Sequence, residues 1–167
     1  LAAKGIAAMK LGRIDYETTA NIGRFEGGQA TNIVCDTVHI LSEARSIDKE
    51  KLDAQVEHMV NTFAEKAEQF GGKATTETKL MYPGFRFEEN HQVVQVAKRA
   101  VENIGRKADI KTSGGGSDAN VIAGFGVPTV ILSVGYEEIH TTNERMPVEE
   151  LEKLADLLVE IVKVAAE

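Results

Sequence analysis

The sequence has a single cysteine, no excess of basic residues and no apolar run long enough to cross a bilayer. One cysteine, Cys35, cannot form a disulfide framework, so a reducing cytoplasm is the expected compartment. A net charge of −7 argues against a nucleic-acid partner, because phosphate-binding surfaces normally carry a basic excess. The lack of a spanning segment and of a signal peptide argues against a membrane partner.

The rest of the composition is that of a folded globular chain. Its 167 residues are 43% apolar and 27% charged, which suffices for one medium-sized domain or two small ones. The first residue is Leu1 rather than methionine, so we expect the chain to be cut from a longer protein. A change of pattern at residues 83–90, around Pro83 and Gly84, predicts a domain boundary there.

The first half of the chain follows the order helix, strand, strand, helix, strand. The two adjacent strands meet at Gly27 and Gly28, which indicates a hairpin with a longer loop. One more strand at the start would complete a β-α-β-β-α-β unit, so we predict a ferredoxin-like unit that lacks its first strand. The predicted elements cover residues 1–11, 17–28, 31–46, 48–70 and 74–82.

The helix over residues 48–70 has the clearest signals in this half. Its apolar residues recur every three or four positions, which is the helical period. Asp48 can cap the first turn, and Gly71 with Gly72 can end the helix. These signals are local, so they predict the helix independently of its surroundings.

The second half alternates strands with helices, which predicts part of a layered α/β domain. A helix over residues 91–104 is capped by Asn90. Short strands at 108–111 and 128–134 flank a glycine-rich loop and a short helix. The last helix opens at Pro147, where a missing N–H costs nothing. We predict that it buries four residues: Leu151, Leu154, Leu158 and Ile161.

A run of three glycines precedes Ser117 and Asp118 at a predicted strand-to-helix junction. Glycine is costly to order, so such a run indicates either a left-handed turn or a close approach by another group. Bare backbone N–H groups at a helix start, beyond the end of a strand, suit a carboxylate or a phosphate. The spacing lacks the lysine of a nucleotide P-loop. The alternative is a tight turn capped by Asp118 or Ser117.

His140 lies in a polar loop before the last helix. A neutral imidazole can bind a metal ion or transfer a proton near neutral pH. A catalytic zinc needs about three protein ligands, and no other residue here shows ligand spacing. The neighbouring Glu137 and Glu138 are interpreted as a solvated acidic turn. The remaining histidines are interpreted as structural or solvent-facing: His39, His58 and His91.

Asn32 and Arg45 bracket the second strand of the predicted hairpin. A guanidinium matches a carboxylate through two hydrogen bonds, as an exopeptidase or acylase needs to hold the end of its substrate. The alternative is a surface arginine paired with Glu43 or with a helix acid. The two positions differ by an odd number, so in a regular strand their side chains point to opposite faces. Unless a bulge intervenes, they cannot line the same pocket, although they could serve two different sites in a dimer.

Three separated segments together resemble a family of dizinc exopeptidases and amidohydrolases. They are GRIDYETTANIGRFEGGQATNIVCDTVHILSEARSID, TSGGGSDANVIAGFGVPTVILSVG and IHTTNERMPVEELEKLADL, in this order over essentially the whole chain. The family includes peptidase T, carnosinase-like dipeptidases, aminoacylases and succinyl-diaminopimelate desuccinylase. The phrases TANIGRFEGG and EARS resemble the peptidase T branch most closely.

The resemblance implies an α/β fold in which a ferredoxin-like lid, which also forms a homodimer, interrupts an α/β/α catalytic domain. Residues 1–84 would be the lid without its first strand, and residues 85–167 the C-terminal segment of the catalytic domain. His140 matches the last zinc ligand, and Glu144 matches the acidic position that follows it. The other matched positions hold the substrate carboxylate or carbonyl, or line the substrate cleft: Asn32, Arg45, Gly114, Gly115, Gly116 and Ser117.

The family's other metal ligands and its general-base glutamate belong to an N-terminal half that this sequence does not include. The resemblance therefore implies a cytoplasmic, peptidase T-like aminopeptidase for short peptides, with two zinc ions, or cobalt or manganese, held jointly with that half. No catalytic residue is assigned in this chain, and we expect it to be inactive by itself. Two alternatives are a dimerisation and substrate-capping module without catalysis, and an anion- or nucleotide-binding domain that uses the glycine loop.

Overall fold

The computed structural model describes the whole chain, Leu1–Glu167. It forms two compact units, Leu1–Gly84 and Phe85–Glu167, called unit 1 and unit 2 below. Five helices and one three-stranded sheet give the mixed α/β class predicted from the sequence. No helix combines the length and the apolar character that crossing a membrane requires.

Unit 1 contains the only sheet, an antiparallel one with the order β1-β2-β3. The predicted hairpin is present, although both strands are shorter than predicted and a loop of residues 28–37 joins them. This loop begins at Gly28, whose φ of 89° lies in the region that favours glycine. The strands are β1 (Gly12–Arg13), which was not predicted, β2 (Thr19–Gly27) and β3 (Val38–Arg45).

The two helices of unit 1 are α1 (Ala2–Ala8) and α2 (Lys49–Gln69). The predicted cap of α2 is confirmed, because Asp48 Oδ1 accepts hydrogen bonds from the N–H groups of Glu50 (2.9 Å) and Lys51 (3.1 Å). The predicted stop is also present: Gly71 has φ 69°, and Gly72 N–H returns to the Ala67 carbonyl at 2.8 Å.

The strand predicted over residues 74–82 is wrong, because this segment pairs with no other strand. In a ferredoxin-like unit the last strand pairs with the first one, and residues 1–84 contain no such first strand. An alternating pattern without a neighbour has no ladder to join. The ferredoxin-like lid itself stays a prediction.

Unit 2 contains three helices, α3 (Gln92–Asn103), α4 (Asp118–Gly124) and α5 (Val148–Ala165). The predicted cap of α3 is shifted by one residue. His91, not Asn90, is the N-cap, because its Nδ1 accepts the Val93 N–H at 3.3 Å. The stop at Gly105 is present, with φ 78°. Pro147 precedes the first helical residue of α5.

The core of unit 2 lies between α3 and α5. Ala100 of α3 packs with Leu157 and Val164 of α5, all three buried, and Leu132 packs against them. The predicted inner face of α5 is therefore partly wrong: Leu154 and Ile161 are half-buried, but Leu151 and Leu158 are about half exposed (54% and 51%). The apolar surface of α5 is wider than one stripe, so periodicity alone did not identify the covered side.

The two strands predicted in unit 2 are also wrong. Residues 108–111 and 128–134 form no ladder, and no backbone hydrogen bond joins them to each other or to another segment. Along the chain, residues 108–111 precede α4 and residues 128–134 follow it, as predicted. What these segments lack is a hydrogen-bonded neighbour.

Candidate functional site

The loop that carries His140 is closed by a backbone pair at its base. The N–H of Glu137 donates to the Arg145 carbonyl at 2.9 Å, and the N–H of Arg145 returns to the Glu137 carbonyl at 3.1 Å. Between them, Glu138 and His140 both have positive φ, 50° and 63°. These are the only non-glycine residues of the chain in that region. Side chains rarely adopt this backbone, which costs about 1–3 kcal/mol per residue and persists only where the surroundings impose it.

Side chains impose this conformation from within the loop. Arg145 Nε pairs with Glu137 Oε2 at 2.5 Å, and its second nitrogen lies 3.5 Å from Glu138 Oε1. The Thr141 hydroxyl donates to the Glu138 carbonyl at 2.7 Å. Glu137 and Glu138 thus form an exposed acidic turn, as interpreted from the sequence. The guanidinium of Arg145 contacts both carboxylates.

Glu144 contacts the backbone of His140. Its Oε2 accepts the His140 N–H at 2.6 Å, and its own N–H donates to the Thr141 carbonyl at 3.2 Å. The side chain of His140 is exposed. The loop therefore presents an imidazole to its surroundings from a backbone that is fixed on both sides.

Gly135, just before the loop, lies close to the first turn of α5. Gly135 has φ 82°, and a Cβ placed there would lie 2.8 Å from Glu150 Cβ on the first turn of α5. Glu150 also accepts a hydrogen bond from Arg106, just after α3, at 2.7 Å, and this bond holds the pKa of the Glu150 carboxyl below its usual value. The loop, α5 and the end of α3 are thereby joined.

The donor set for a metal ion in this chain is incomplete. No group of three or more histidine, cysteine, aspartate or glutamate side chains is arranged to hold an ion. A catalytic zinc takes about three protein ligands, and a two-metal site needs more. His140 can supply one ligand, so the residues present do not fit two zinc ions by themselves.

The glycine loop has an open backbone. None of Gly114, Gly115 and Gly116 has a positive φ, so the conformation does not require glycine. A Cβ on Gly114 would meet nothing within 4 Å, and one on Gly115 would meet only the Ser113 hydroxyl at 3.5 Å, an ordinary contact. At Gly114 and Gly115, therefore, neither a left-handed turn nor a close approach by another group of this chain requires glycine.

Ser117, at the end of this loop, is the N-cap of α4. Its Oγ accepts the Ala119 N–H at 3.3 Å, and the Asn120 side chain accepts the Ser117 N–H at 2.9 Å. Together these bonds form a capping box for α4, a helix of seven residues. The capped turn considered from the sequence is therefore present, with Ser117 rather than Asp118 as the cap.

Asn32 and Arg45 do not lie in the same strand, in contrast to the prediction from the sequence. Asn32 is exposed in the loop of residues 28–37, before β3 begins at Val38, so the odd-number argument does not apply. Arg45 ends β3 opposite Thr19, and its guanidinium bonds to Glu43 Oε2 at 3.0 Å. This bond raises the pKa of Arg45 above its usual value. The pairing with Glu43 is the alternative that the sequence left open.

The structure leaves the predicted site residues in separate groups. Asn32 and Arg45 belong to unit 1, whereas the glycine loop, His140 and Glu144 belong to unit 2. No hydrogen bond or ion pair links the glycine loop to residues 137–145. Sequence reasoning missed Arg145, whose signal was a basic residue seven and eight positions after two glutamates in a polar loop.

Residues 4–164 match the family model of Peptidase family M20/M25/M40, so the chain belongs to that family. YqjE, an uncharacterized protein of Bacillus subtilis strain 168, is 60% identical over 99% of this chain. The chain spans 45% of the length of that relative.

Solved structures of longer proteins have the same fold over nearly the whole chain. The aminopeptidase PepT of Bacillus cereus ATCC 10987 is 62% identical with a TM-score of 0.90, over 99% of this chain and 44% of its own. A tripeptidase of Staphylococcus aureus Mu50 is 51% identical with a TM-score of 0.93, over 99% and 45%. At 19% identity and a TM-score of 0.74, the YXEP protein of Bacillus subtilis, described as a dinuclear metal binding peptidase, shares the fold.

Proposed function

We propose that this chain is part of a metallo-aminopeptidase that hydrolyses short peptides, of the peptidase T type. The observation that supports this most is the likeness to an aminopeptidase and a tripeptidase at 62% and 51% identity, with TM-scores of 0.90 and 0.93. The chain covers 44–45% of those proteins, so the activity belongs to a longer protein. The chain alone is expected to be inactive, because the metal ligands are incomplete.

In this proposal His140 is one ligand of a two-metal site, with zinc, cobalt or manganese as the ions. The positive φ of His140 supports this role, because a strained backbone is retained where a function requires it. Glu144 would act on the ligand through the His140 N–H rather than through the ring. The other ligands would come from the N-terminal part of the longer protein.

The glycine loop would line the substrate cleft. Its open backbone supports this role, because Gly114 has free space where a side chain would stand. A peptide main chain could lie against that surface, whereas any side chain would keep it at a distance. The anion- or nucleotide-binding alternative gains no support, because Ser117 and Asn120 already satisfy the start of α4.

Unit 1 would serve as the lid and as the dimer contact, with Asn32 and Arg45 facing the substrate. The Arg45–Glu43 pair is exposed, and such pairs are worth only about 0–1 kcal/mol, so a substrate carboxylate can compete for the guanidinium. The sheet of unit 1 has β3 at one edge, and an open edge can pair with a second copy. A monomer at high concentration in light scattering would exclude this dimer.

The test is a chimera in which this chain replaces the matched 44% of the Bacillus cereus aminopeptidase. We expect the chimera to release N-terminal residues from tripeptides when zinc, cobalt or manganese is supplied, and the 167-residue chain to release none under the same conditions. Turnover by the chain alone would contradict the proposal. So would a folded, metal-loaded chimera without any peptide hydrolysis.

A further inference from the structure

The loop over residues 137–145 contains two strained residues that no apolar packing supports. Glu138 and His140 have φ of 50° and 63°, and both carry a side chain that disfavours this backbone. Every residue from 136 to 145 is exposed, so burial cannot impose the conformation. A strained backbone persists only where its surroundings hold it in place. The polar contacts within the loop must therefore supply the restraint.

Arg145 reaches the first strained residue from the opposite end of the loop. Its backbone exchanges two hydrogen bonds with Glu137, at 2.9 and 3.1 Å. Its side chain places Nε 2.5 Å from Glu137 Oε2 and Nη1 3.5 Å from Glu138 Oε1. The adjacent residue, Glu144, accepts the N–H of His140 at 2.6 Å. Residues 144 and 145 thus contact both strained residues, Glu138 through its carboxylate and His140 through its backbone.

We propose that Arg145 is a positioning residue for His140, which acts through the fold of the loop and touches neither a metal ion nor the substrate. The guanidinium fixes residues 137 and 138, and these residues determine where the chain places the imidazole two positions later. Loss of a contact that orients a metal ligand typically weakens metal binding 10–100-fold. Arg145 has this role only if His140 is a metal ligand, so the inference rests on the proposed function.

The same contacts determine which donor group the loop offers to a metal ion. Carboxylate oxygens bind zinc as imidazole nitrogens do, and Glu137 and Glu138 lie three and two residues before His140. Both carboxylates are paired with Arg145, whereas the side chain of His140 is exposed. Arg145 therefore keeps two acidic side chains from competing with the imidazole.

These two contacts require an arginine rather than any cation. The Nε and Nη1 atoms belong to one planar group and reach two carboxylates at once. The ammonium group of a lysine is a single charged point on a flexible stem. Arg145→Lys therefore keeps the charge and loses the fixed geometry, whereas Arg145→Gln loses both. The two variants separate positioning from neutralisation of the acidic turn.

The experiment measures zinc binding to the chimera by calorimetry, without peptide. Arg145→Gln should weaken the binding of at least one zinc ion by about 10–100-fold, and Arg145→Lys should recover only part of this loss. Arg99→Gln is the matched control and should leave the affinity unchanged, because Arg99 is an exposed arginine of α3 that pairs with Glu167 at 3.0 Å. An unchanged affinity in Arg145→Gln, or full recovery in Arg145→Lys, would overturn the inference.

The role of the two carboxylates is tested in the background Glu137→Gln/Glu138→Gln. There Arg145→Gln should cause no further loss of zinc affinity, because no carboxylate remains for the guanidinium to hold. A further loss as large as in the unmodified chimera would overturn the proposed route from Arg145 to His140.

A spectroscopic measurement separates a changed ligand from a damaged fold. The visible absorption of bound cobalt depends on its ligands and their geometry, so Arg145→Gln should change the spectrum as His140→Ala does, and Arg99→Gln should not. Because Arg145 is exposed, the thermal midpoint of the metal-free chimera should change by less than about 2 °C. A larger fall would overturn the inference, since Arg145 would then support the whole fold rather than the ligand.

Failure of the proposed function is distinguishable from failure of this inference, because zinc affinity and the cobalt spectrum need no peptide. A chimera that loses zinc affinity in Arg145→Gln as expected, but hydrolyses no peptide, would contradict the peptidase proposal alone. A chimera in which His140→Ala weakens zinc binding and Arg145→Gln does not would contradict the positioning role alone. In an active chimera, Arg145→Gln should lower kcat and leave KM within a few-fold, and the reverse pattern would indicate a substrate contact instead.

Discussion

Unit 1 and unit 2 differ in how much of their own backbone they pair. In unit 1 the strands β2 and β3 are neighbours in sequence and complete a hairpin. In unit 2 the helices and the His140 loop are fully formed, but the segments 108–111 and 128–134 remain unpaired. Helices, loops and the hairpin, whose contacts are local in sequence, therefore form in either unit. A strand forms only where the strand that pairs with it is present.

The largest expected effect concerns His140 in the chimera. We expect His140→Ala to lower peptide turnover more than about 100-fold, because even groups that only orient a metal ligand cost 10–100-fold. His91→Ala is the matched control, since His91 caps α3 through the Val93 N–H, and it should keep turnover within a few-fold. An equal loss of turnover in the two variants would contradict a specific role of His140 in the reaction.

The second prediction compares backbone protection in the two units. In the isolated chain, amide hydrogens of β2 and β3 that bond across the hairpin should exchange at least about 10-fold more slowly than those of residues 128–134. Hydrogen-exchange mass spectrometry measures both segments in one experiment. Equal protection would mean that unit 2 completes its own strands, and the contrast between the units would be lost.

The third prediction compares two glycines within unit 2. Gly135→Ala should lower the free energy of unfolding by about 1–3 kcal/mol, because it places a Cβ at φ 82° and against Glu150. Gly114→Ala should change it by less than about 0.5 kcal/mol, because nothing lies within 4 Å. Urea denaturation of both variants tests this. A destabilising Gly114→Ala would show that the open loop has a structural purpose.

The smallest effect is the pH dependence that Asp15 contributes to the stability of unit 1. Asp15 accepts the N–H groups of Glu17 and Thr18, and the first of these bonds contributes most to lowering its pKa from 3.8 to about 2. A lowered pKa means that the stabilisation is complete above about pH 4 and is lost as the pH falls to about 2. Asp15→Asn should flatten the fall of the thermal midpoint between pH 4 and 2. Asp36→Asn, in the exposed hairpin loop, is the control.

Local signals explain which parts of this fold were predictable from the sequence. The cap at Asp48 and the glycines that end α2 act within a few residues, so α2 was predicted nearly to its ends. Residues 74–82 and 128–134 carry strand patterns as well, but a pattern does not reveal whether a partner strand is present.

The candidate site was predictable only in part, for related reasons. His140 was identified by resemblance, but nothing in the sequence indicated its left-handed backbone, because neither His140 nor Glu138 is a glycine. The Arg145 contacts that hold the loop depend on how it folds back on itself. Asn32 was placed within the strand predicted over residues 31–46, whereas the strand begins only at Val38.

Isothermal titration calorimetry of zinc binding tests most directly whether this chain supplies one ligand to a metal site shared with the rest of a longer protein. We expect the chimera to bind two zinc ions, and His140→Ala to weaken at least one of them by more than about 100-fold. The isolated 167-residue chain should bind zinc only weakly, because it has no group of three or more side chains arranged to hold an ion. Tight binding of two zinc ions by the isolated chain, or an unchanged affinity in the His140→Ala chimera, would contradict this.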